Sequence, residues 1–469
     1  MNNFFKIFIK KVDLISLFFL AFSILLLVYV IYRAQYVYSG NLGSYYYKYY
    51  LFSYICIFAS ITSIFFSIVL KRIIILLISS FLVAFYIIEV GLIFLNNYEV
   101  KMQLKKEENE TKFKIEEFKK IENKIYDTRQ KIDVYKDLKK KNLNVTVGFT
   151  PSIISISNDK VIFPLSQTSS HITTIDCNEN GYYSKYLSDR YGYNNPDIEW
   201  NKNKHILLIG DSFVNGSCVN EIDTISSNLR NLINKKDVGV LNLGVGNTGP
   251  LIHLAILKEY IKKTKPNKIF WFYYEGNDLD NLKDELENSI LRKYLYEHNF
   301  IQNISLYQDE IDKIYLKKVT DAYNLNINPG LRTQEQSEKN IFIRTLTFNL
   351  IRKTIRQFLY TPPIAEFNKI LIEAKRLANE HNTELNIVYL PGYYRYENNE
   401  KKNTLNLSYY QKIISMFKSL NLNIIDFKFE LDNHKDVYSL FPFRIHGHFN
   451  PNGTAYVSNV IFKNSFINK

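Results

Sequence analysis

The sequence predicts an α/β fold, a parallel sheet covered by helices on both faces, in the C-terminal part of the chain at 204–469. Short continuous apolar runs are bounded there by turn signals, as in strands buried on both faces. Stretches of helical period alternate with these runs, and such alternation favours a parallel sheet. With 469 residues, 46% of them hydrophobic, the chain has room for a large core and a membrane-embedded part.

The predicted elements follow one another in a regular order. Strands are expected at 205–209, 238–242, 268–274, 384–389 and 422–426, and helices at 366–381, 409–420 and 455–462. The stretch 279–356 does not alternate cleanly. We therefore expect a mostly helical insertion there, serving as a lid or as a surface for docking a partner.

Polar residues stand where the predicted strands end, which is where open α/β sheets place their chemistry. The strand at 205–209 ends in Gly210-Asp211-Ser212, and a glycine-rich turn at 243–250 follows the second strand. Asn277 follows the third strand, and His448 precedes the last predicted helix. From about residue 204 onward, this ordered set resembles the SGNH (GDSL-type) hydrolase superfamily, whose marker residues are Ser, Gly, Asn and His.

The resemblance implies a three-layer α/β/α, flavodoxin-like domain and a role for each marker residue. Ser212 would be the nucleophile and His448 its base, since a serine hydroxyl is unreactive until a base takes its proton. Asn277, the Ser212 N–H and one glycine N–H would bind the oxyanion, and such a donor is worth about 3 kcal/mol in the transition state. The candidate glycines are Gly246, Gly244 and Gly249. Taken singly, Ser212 also fits a helix N-cap and Asn277 a turn residue.

Two positions depart from the family's pattern. Glu275 stands where the third block usually has its first glycine. The family usually has an aspartate two or three residues before the histidine, and this chain has His446 and Ile445 there. Either the acid comes from elsewhere, with Asp432 and Asp436 nearest upstream, or a Ser–His pair is oriented by a backbone carbonyl. The acid orients the imidazole and stabilises its charged form. A site that binds without catalysing is therefore a further alternative.

Three apolar stretches near the N-terminus, at 14–32, 51–70 and 73–95, are long enough for membrane-spanning helices. Lysines precede the first stretch, and Lys71 and Arg72 are expected in a cytoplasmic turn between the second and third. By the positive-inside rule the N-terminus is cytoplasmic, and the chain after residue 96 lies outside the cytoplasm. We therefore expect a multi-pass protein of the inner membrane with a periplasmic catalytic domain.

Glu89 lies in the third stretch, near its outer end. An acid inside a membrane span is a candidate functional residue. This close to the interface, snorkelling or pairing between helices is the simpler expectation.

The cysteines agree with this topology. Cys56 falls in a predicted span and is expected to be an inert apolar residue. Cys177 and Cys218 both fall in the exported part, where disulfides persist. Two cysteines allow one pairing, so a Cys177–Cys218 bridge is expected to tie the preceding extension to the rim of the site, six residues after Ser212.

Four parts of the chain are expected: a membrane anchor at 1–98, a charged amphipathic juxtamembrane helix at 99–143, an irregular extension at 144–203 and the hydrolase-like domain at 204–469. Apolar residues at near-helical spacing, such as Phe118 and Ile125, predict the juxtamembrane helix. The extension is similar to segments of membrane-attached SGNH proteins of bacterial polysaccharide systems, which implies that it lines a substrate groove. The alternative is a loop packed under the domain.

The formal net charge of +13 suits anionic lipid head groups or acidic glycans as partners. Binding of nucleic acid would need a basic recognition module, and the sequence contains none. No P-loop or metal-ligand cluster stands in the sequence, so no cofactor and no metal are expected. His446 and His448 lack further ligands at zinc spacing.

These patterns predict a membrane-anchored serine esterase or O-acyltransferase acting on acyl, especially acetyl, esters of envelope polysaccharide, as the family resemblance implies. Transfer would need an acyl donor outside the cytoplasm, which a separate membrane acyltransferase could supply. The alternatives are an inactive glycan-binding or assembly protein and a lipid esterase or thioesterase.

Overall fold

The computed structural model describes residues 14–37, 43–141, 143–157, 160–169, 171–325, 345, 347–358, 360–397 and 400–467. The chain divides into two compact units. The first contains Met1–Leu104 and Glu335–Tyr360, and the second contains Lys105–Gln334 and Thr361–Lys469. The predicted insertion at 279–356 is therefore shared between the units, and its residues 326–344 lie outside the described part of the chain.

The α-helices alternate with strands in the second unit, as the sequence predicts. In chain order they are α1 Leu14–Ile31, α2 Gly43–Ser63, α3 Ile68–Glu122, α4 Lys131–Lys140, α5 Ser212–Asn215, α6 Ile225–Ile233, α7 Pro250–Thr264, α8 Asp278–Glu285, α9 Ser289–Tyr296, α10 Gln308–Asn324, α11 Asn349–Phe358, α12 Ile364–Glu380, α13 Glu400–Ser419, α14 Phe427–Asp432 and α15 Pro451–Phe462. A π-helical turn, Tyr32–Val37, extends α1, and another, Lys463–Ile467, extends α15.

The strands form one five-stranded parallel sheet and two small sheets. In chain order they are β1 Val145–Val147, β2 Ile154–Ser155, β3 Val161–Ile162, β4 Thr173–Ile175, β5 Lys185–Leu187, β6 Lys204–Ile209, β7 Val238–Asn242, β8 Pro266–Tyr274, β9 Glu384–Leu390 and β10 Asn423–Asp426. The large sheet has the order β10-β9-β8-β6-β7, and all its pairings are parallel. Strand β4 pairs with β1 and β5, and β2 pairs with β3.

Helices cover both faces of the large sheet, which confirms the predicted α/β fold. Strand side chains alternate between faces. Leu207 and Ile209 of β6 accordingly enter one core cluster, with side chains of α7 and α12. Ile206 and Leu208 enter another, with side chains of α6 and α15. Burial on both faces explains why the strands appear in the sequence as continuous apolar runs.

The extension at 144–203 is more regular than expected, since it carries β1–β5. A buried carboxylate docks it on the large sheet. Asp189 accepts hydrogen bonds from Tyr193 N at 2.9 Å, Asn195 Nδ2 at 2.9 Å and Trp200 Nε1 at 2.7 Å. Asn195 also donates to the Asn242 carbonyl at 2.9 Å, at the end of β7. The extension is thereby held against the edge strand next to β6.

The expectation of three membrane spans is not confirmed. Within the described residues, two helical segments, Leu14–Tyr36 and Ile68–Glu122, are long and apolar enough to cross a membrane. The stretch predicted as one span at 51–70 is split between two helices. Helix α2 begins earlier, at Gly43, with tyrosines in its first turns, and ends at Ser63, and α3 begins at Ile68.

The turn between α2 and α3 also differs from the prediction. It lies at residues 64–67 and not at Lys71 and Arg72, which stand inside α3. Ser67 Oγ accepts the Leu70 N–H at 3.3 Å near the start of α3. Lys71 is buried, and its Nζ donates to Ser16 Oγ at 2.8 Å. A cation that finds a partner within the unit does not need to stand in a solvent-exposed turn.

Glu89 pairs with a helix terminus inside the first unit. Its two carboxylate oxygens accept the N–H groups of Leu350 and Ile351 at 2.9 Å each, in the first turn of α11. These are N–H groups that a helix cannot satisfy by itself. The carboxylate thus holds α11 within the first unit.

The juxtamembrane helix predicted at 99–143 is not a separate element. Helix α3 continues to Glu122, and α4 begins at Lys131 after an irregular segment. The predicted apolar face is only partly buried: Phe118 is 6% exposed, whereas Ile125 is 95% exposed.

Replacing the docking carboxylate, Asp189→Ala, should lower the free energy of unfolding of the second unit by about 3 kcal/mol, because several buried donors lose their acceptor. Denaturant unfolding followed by fluorescence of Trp200 and Trp271 measures this change. Asp197→Ala is the matched control, since the Arg190–Asp197 pair is partly exposed and should contribute about 1 kcal/mol or less. Equal losses in the two variants would contradict the docking role.

Candidate active site

Ser212 is placed by the abrupt end of β6. A Cβ on Gly210 would lie 2.5 Å from Val214 Cγ2, so this tight turn requires glycine. Asp211 caps α5, because its Oδ1 accepts the Phe213 N–H at 3.0 Å. Ser212 is the first residue of that helix and lines a cavity of about 350 Å³. The nucleophile candidate therefore stands at the carboxyl end of a strand of the parallel sheet.

His448 reaches Ser212 from the segment before α15. Asn450 caps that helix, its Oδ1 accepting the Gly453 N–H at 3.0 Å. The His448 Nε2 lies 2.8 Å from Ser212 Oγ, which is hydrogen-bond distance between a base and a nucleophile. The fold thus brings together two residues that are 236 positions apart.

The acid beside His448 is Glu179, from the extension, and sequence reasoning missed it. Glu179 Oε1 lies 3.1 Å from His448 Nδ1, and Oε2 accepts the His448 backbone N–H at 2.6 Å. With Ser212 on the other ring nitrogen, the three side chains have the arrangement of a Ser–His–acid triad. One signal could have found the acid: it stands two residues after Cys177, which the sequence had paired with Cys218 at the site.

The two acids considered from sequence do not reach His448. Asp432 is paired with Lys428, one turn earlier in α14. Asp436 forms a two-pronged pair with Arg444, at 2.7 and 2.9 Å. Because nearby cations hold both carboxylates, the candidates Asp432 and Asp436 are replaced by Glu179 as the acid of the site.

Two more residues singled out from sequence have structural partners. His446 Nε2 lies 3.0 Å from Glu110 Oε2, whereas His448 Nε2 lies 2.8 Å from Ser212 Oγ. Glu275, in the place of a family glycine, forms an ion pair with Arg395 and accepts the Gly392 N–H at 2.7 Å. It joins the ends of β8 and β9 beside the site.

The electrostatics of the triad favour a charged imidazole. Burial lowers the pKa of His448, but the hydrogen bond and charge of Glu179, with the charge of Asp211, outweigh it, and the net pKa is above the ordinary 6.5. Burial raises the pKa of Glu179, but its hydrogen bonds to His448 outweigh this and leave the pKa below its ordinary value. Each partner thus stabilises the charged form of the other.

Among the three candidate glycines, hydrogen bonding favours Gly246. The Gly244 N–H donates to Asn242 Oδ1 at 2.9 Å, and the Gly249 N–H donates to the carboxylate of Glu285. Gly246 lines the cavity, and a Cβ built there would lie 3.9 Å from Ser212 Cβ. Gly246 is therefore the candidate glycine that lies beside Ser212 in the cavity.

Asn277 reaches the same cavity from the end of β8, just before α8. The turn that carries it is fixed by Asp278, whose Oδ2 accepts the Tyr274 N–H at 3.0 Å. Ser212, Gly246 and Asn277 therefore line one cavity, with His448 beside them. This is the set that the sequence motifs place at three strand ends and one C-terminal helix.

The predicted cysteine pair is bonded in the structure. The Cys177 and Cys218 sulfurs lie 2.07 Å apart, and Cys218 Sγ is 3.8 Å from His448 Nδ1. The bridge joins the extension to the segment that follows α5. It therefore adjoins the triad directly.

Fold and site define a class: an α/β protein with a Ser–His–acid arrangement at the carboxyl edge of a parallel sheet. No family model and no curated protein matches the chain. Solved structures similar to it include proteins described as lipolytic, as acylhydrolases and as acetylxylan esterases. They include a protein described as lipolytic, of the G-D-S-L family, from Desulfitobacterium hafniense, at 15% identity and a TM-score of 0.29, covering 55% of this chain and 99% of that one.

Two other similar structures have comparable figures. The lipase/acylhydrolase from Enterococcus faecalis is 12% identical, with a TM-score of 0.30, and covers 56% of this chain and 94% of that one. A catalytic mutant of the acetylxylan esterase Axe2 from Geobacillus stearothermophilus is 12% identical, with a TM-score of 0.29 and the same coverage. Because these identities and TM-scores are low, a function can be inferred only from the geometry of the site itself.

The raised pKa of His448 predicts the pH dependence of Ser212 reactivity. Only neutral imidazole accepts the serine proton, so the rate of fluorophosphonate modification should rise with pH through an apparent pKa above 6.5. In Glu179→Gln the charge is lost while burial remains, so the apparent pKa should fall and the maximal rate should drop about 100-fold or more.

Asp436→Asn is the matched control, because it removes a nearby carboxylate that does not contact His448. Its rate and pH profile should equal those of the native protein. An unchanged profile in Glu179→Gln, or an altered one in Asp436→Asn, would contradict the assignment of the acid.

Proposed function

We propose that this chain is a serine hydrolase of the SGNH type that acts on acyl esters. The observation that carries the proposal is the continuous hydrogen-bonded series from Glu179 through His448 to Ser212, with 2.8 Å between His448 Nε2 and Ser212 Oγ. Asp–His–Ser and Glu–His–Ser series of this geometry activate serine for attack on carbonyl groups. The N-cap of α5 is Asp211, so Ser212 does not hold the structural position that its sequence also fits.

The mechanism follows from the positions of the groups. Ser212 Oγ attacks the acyl carbonyl while His448 Nε2 takes its proton, and Glu179 stabilises the resulting imidazolium. The N–H groups of Ser212 and Gly246 and the amide of Asn277 bind the oxyanion. His448 then returns the proton to the departing alcohol oxygen, leaving an acyl group on Ser212.

A second acceptor resolves the acyl-enzyme. His448 removes a proton from water, giving a carboxylic acid, or from a sugar hydroxyl, giving a new ester. Ser212 recovers its proton in the same step. The chemistry on the protein is identical for hydrolysis and for transfer, so the acceptor alone separates an esterase from an O-acyltransferase.

The lining of the cavity supports a short acyl group on a hydroxyl-rich substrate. Polar side chains surround Ser212, including Gln167, Asp176, Asn215 and Asn247. A buried oxygen of Asp176 has no hydrogen-bond partner within the described part of the chain. A long fatty chain needs an apolar channel, whereas acetyl esters of sugars offer hydroxyl donors to such groups. We therefore favour acetylated envelope polysaccharide over a lipid ester.

The proposal includes a location. In this proposal α2 (Gly43–Ser63) crosses the inner membrane between the two apolar helical segments. Three crossings from a basic, cytoplasmic N-terminus place the second unit outside the cytoplasm. The Cys177–Cys218 disulfide agrees with an oxidising compartment. Protease added to intact spheroplasts should then digest the second unit, and digestion only after lysis would contradict this topology.

Labelling with a fluorophosphonate tests the enzyme proposal. The full-length protein should be modified on Ser212, and labelling should be lost in Ser212→Ala and fall at least about 100-fold in His448→Ala. Ser157→Ala, on the surface of the same unit, is the control and should label normally. Asn277→Ala should label about 100-fold more slowly, because one oxyanion donor is lost.

Release of acetate from O-acetylated glycans, with and without a sugar acceptor, then separates hydrolysis from transfer. A folded, disulfide-bonded protein that is not labelled would overturn the enzyme proposal. A role in binding or assembling glycans would then take its place.

A further inference from the structure

Glu179 belongs to a loop outside the large sheet, between β4 (Thr173–Ile175) and β5 (Lys185–Leu187). The other members of the site stand at strand ends or next to a capped helix. A carboxylate on a loop holds an imidazole in one orientation only if the loop itself is fixed to within about 0.5 Å. The contacts of this loop therefore decide how well His448 is oriented.

The loop is attached to one residue on both sides of Glu179. Cys177, two residues before it, is bonded to Cys218. Asn180, the residue after it, donates its Nδ2 hydrogen to the Cys218 carbonyl at 2.9 Å. Cys218 in turn lies just beyond α5, the short helix that begins with Ser212. The acid and the nucleophile are thereby fixed to the same short segment.

Contacts on the opposite side support the loop. Gly181 has φ +89°, and a Cβ there would lie 2.5 Å from the Phe118 ring of α3. Its carbonyl accepts the Asp127 N–H at 2.9 Å, and Asn178 Nδ2 donates to the Asp127 carbonyl at 2.6 Å. These contacts secure residues 178 and 181, but the disulfide is the covalent attachment and the one nearest to His448.

We propose that the Cys177–Cys218 disulfide is a positioning device for Glu179, so that Ser212 becomes fully reactive only after this bond has formed. The inference rests on the proposed function, because it concerns the reactivity of the same serine. It makes the activity depend on the redox state of the compartment. A chain held in a reducing environment keeps its fold and has a weakly activated serine.

The chemistry of the switch is simple. Reduction adds two electrons and two protons to the Cys177–Cys218 bond and leaves two thiols. A dithiol such as dithiothreitol supplies them and closes to its own cyclic disulfide. The chain has three cysteines, and the third, Cys56, is free in the first unit. A reductant therefore acts on a single intramolecular bond.

A positioning role differs from simple stabilisation in its effect on His448. If the loop moves, His448 loses the Glu179 charge but remains buried, so its apparent pKa falls. A disulfide that only stabilises the fold would change the amount of active protein and leave this pKa where it was. The pH profile of Ser212 modification therefore distinguishes the two roles.

The experiment uses the full-length protein in detergent and a fluorophosphonate probe. Modification rates are measured across pH for the oxidised protein, for the protein reduced with dithiothreitol, and for a Cys177→Ala/Cys218→Ala variant. We expect the last two to react at least about tenfold more slowly, with an apparent pKa displaced toward that of Glu179→Gln. Cys56→Ala is the matched control and should behave as the native protein.

Combining the changes tests whether the disulfide acts through Glu179. In the Glu179→Gln background, reduction should alter the rate by less than about twofold, since the interaction it supports is already lost. A full additional loss in that background would overturn the proposal. The proposal would also be overturned if the reduced native protein had the same rate and pH profile as the oxidised protein.

If removal of both cysteines prevents folding, Gly447→Ala provides a second test. A Cβ at Gly447 would lie 2.6 Å from Glu179 Oε2, so this change displaces the carboxylate and leaves the disulfide intact. It should reproduce the rate and profile of Glu179→Gln, and reduction should then add little. A large further effect of reduction would overturn the proposal. Absence of labelling in the oxidised native protein would instead overturn the proposed function.

Discussion

The contact between Glu179 and His448 is the interaction on which the site depends. Glu179 is hydrogen-bonded to both the backbone N–H and the ring Nδ1 of His448. It therefore fixes the position of the ring and its orientation together. It also raises the stability of the imidazolium against the burial that opposes it. Because Glu179 belongs to the extension, the α/β domain does not contain a complete site by itself.

The extension is therefore part of the candidate site. Its disulfide joins it to the segment after α5, and Asn195, held by the buried carboxylate of Asp189, donates to the Asn242 carbonyl at the end of β7. Strands β4 and β5 pair with each other on either side of the loop that carries Glu179, which helps to hold this side chain in place. The carboxylate that orients His448 thus belongs to a stretch that the sequence predicts as an irregular extension.

Much of the fold could be predicted from the sequence because parallel strands buried on both faces leave a strong pattern. Ser212 and Asn277 follow from the same logic, since chemistry at a parallel sheet collects at strand ends. The acid was missed because Glu179 is 269 residues from His448 and belongs to no local motif, and only its closeness to Cys177 pointed to it. The choice of Gly246 over Gly244 and Gly249 required the hydrogen-bond partners of the glycine N–H groups, and a sequence pattern does not contain this information.

The apolar N-terminal helices show a different limit. Hydropathy places apolar stretches well but fixes the turns between them poorly, and Lys71 illustrates why. A lysine marks a turn only if water is its best partner, and here Ser16 accepts its hydrogen bond inside the unit. Glu89 is similar, since its partner is a helix from more than 250 residues later in the chain.

That distant partnership has a consequence for synthesis and handling of the chain. The polypeptide passes between its two units three times, because residues 335–360 return to the first unit before the C-terminal part completes the second. Until that return occurs, Glu89 stands in an apolar helix without the N–H groups of Leu350 and Ile351. A fragment that begins after the N-terminal helices would contain α11 but not the Glu89 carboxylate that accepts its first N–H groups. Such a fragment would expose Ile351, which is buried in the folded chain, whatever the condition of its active site.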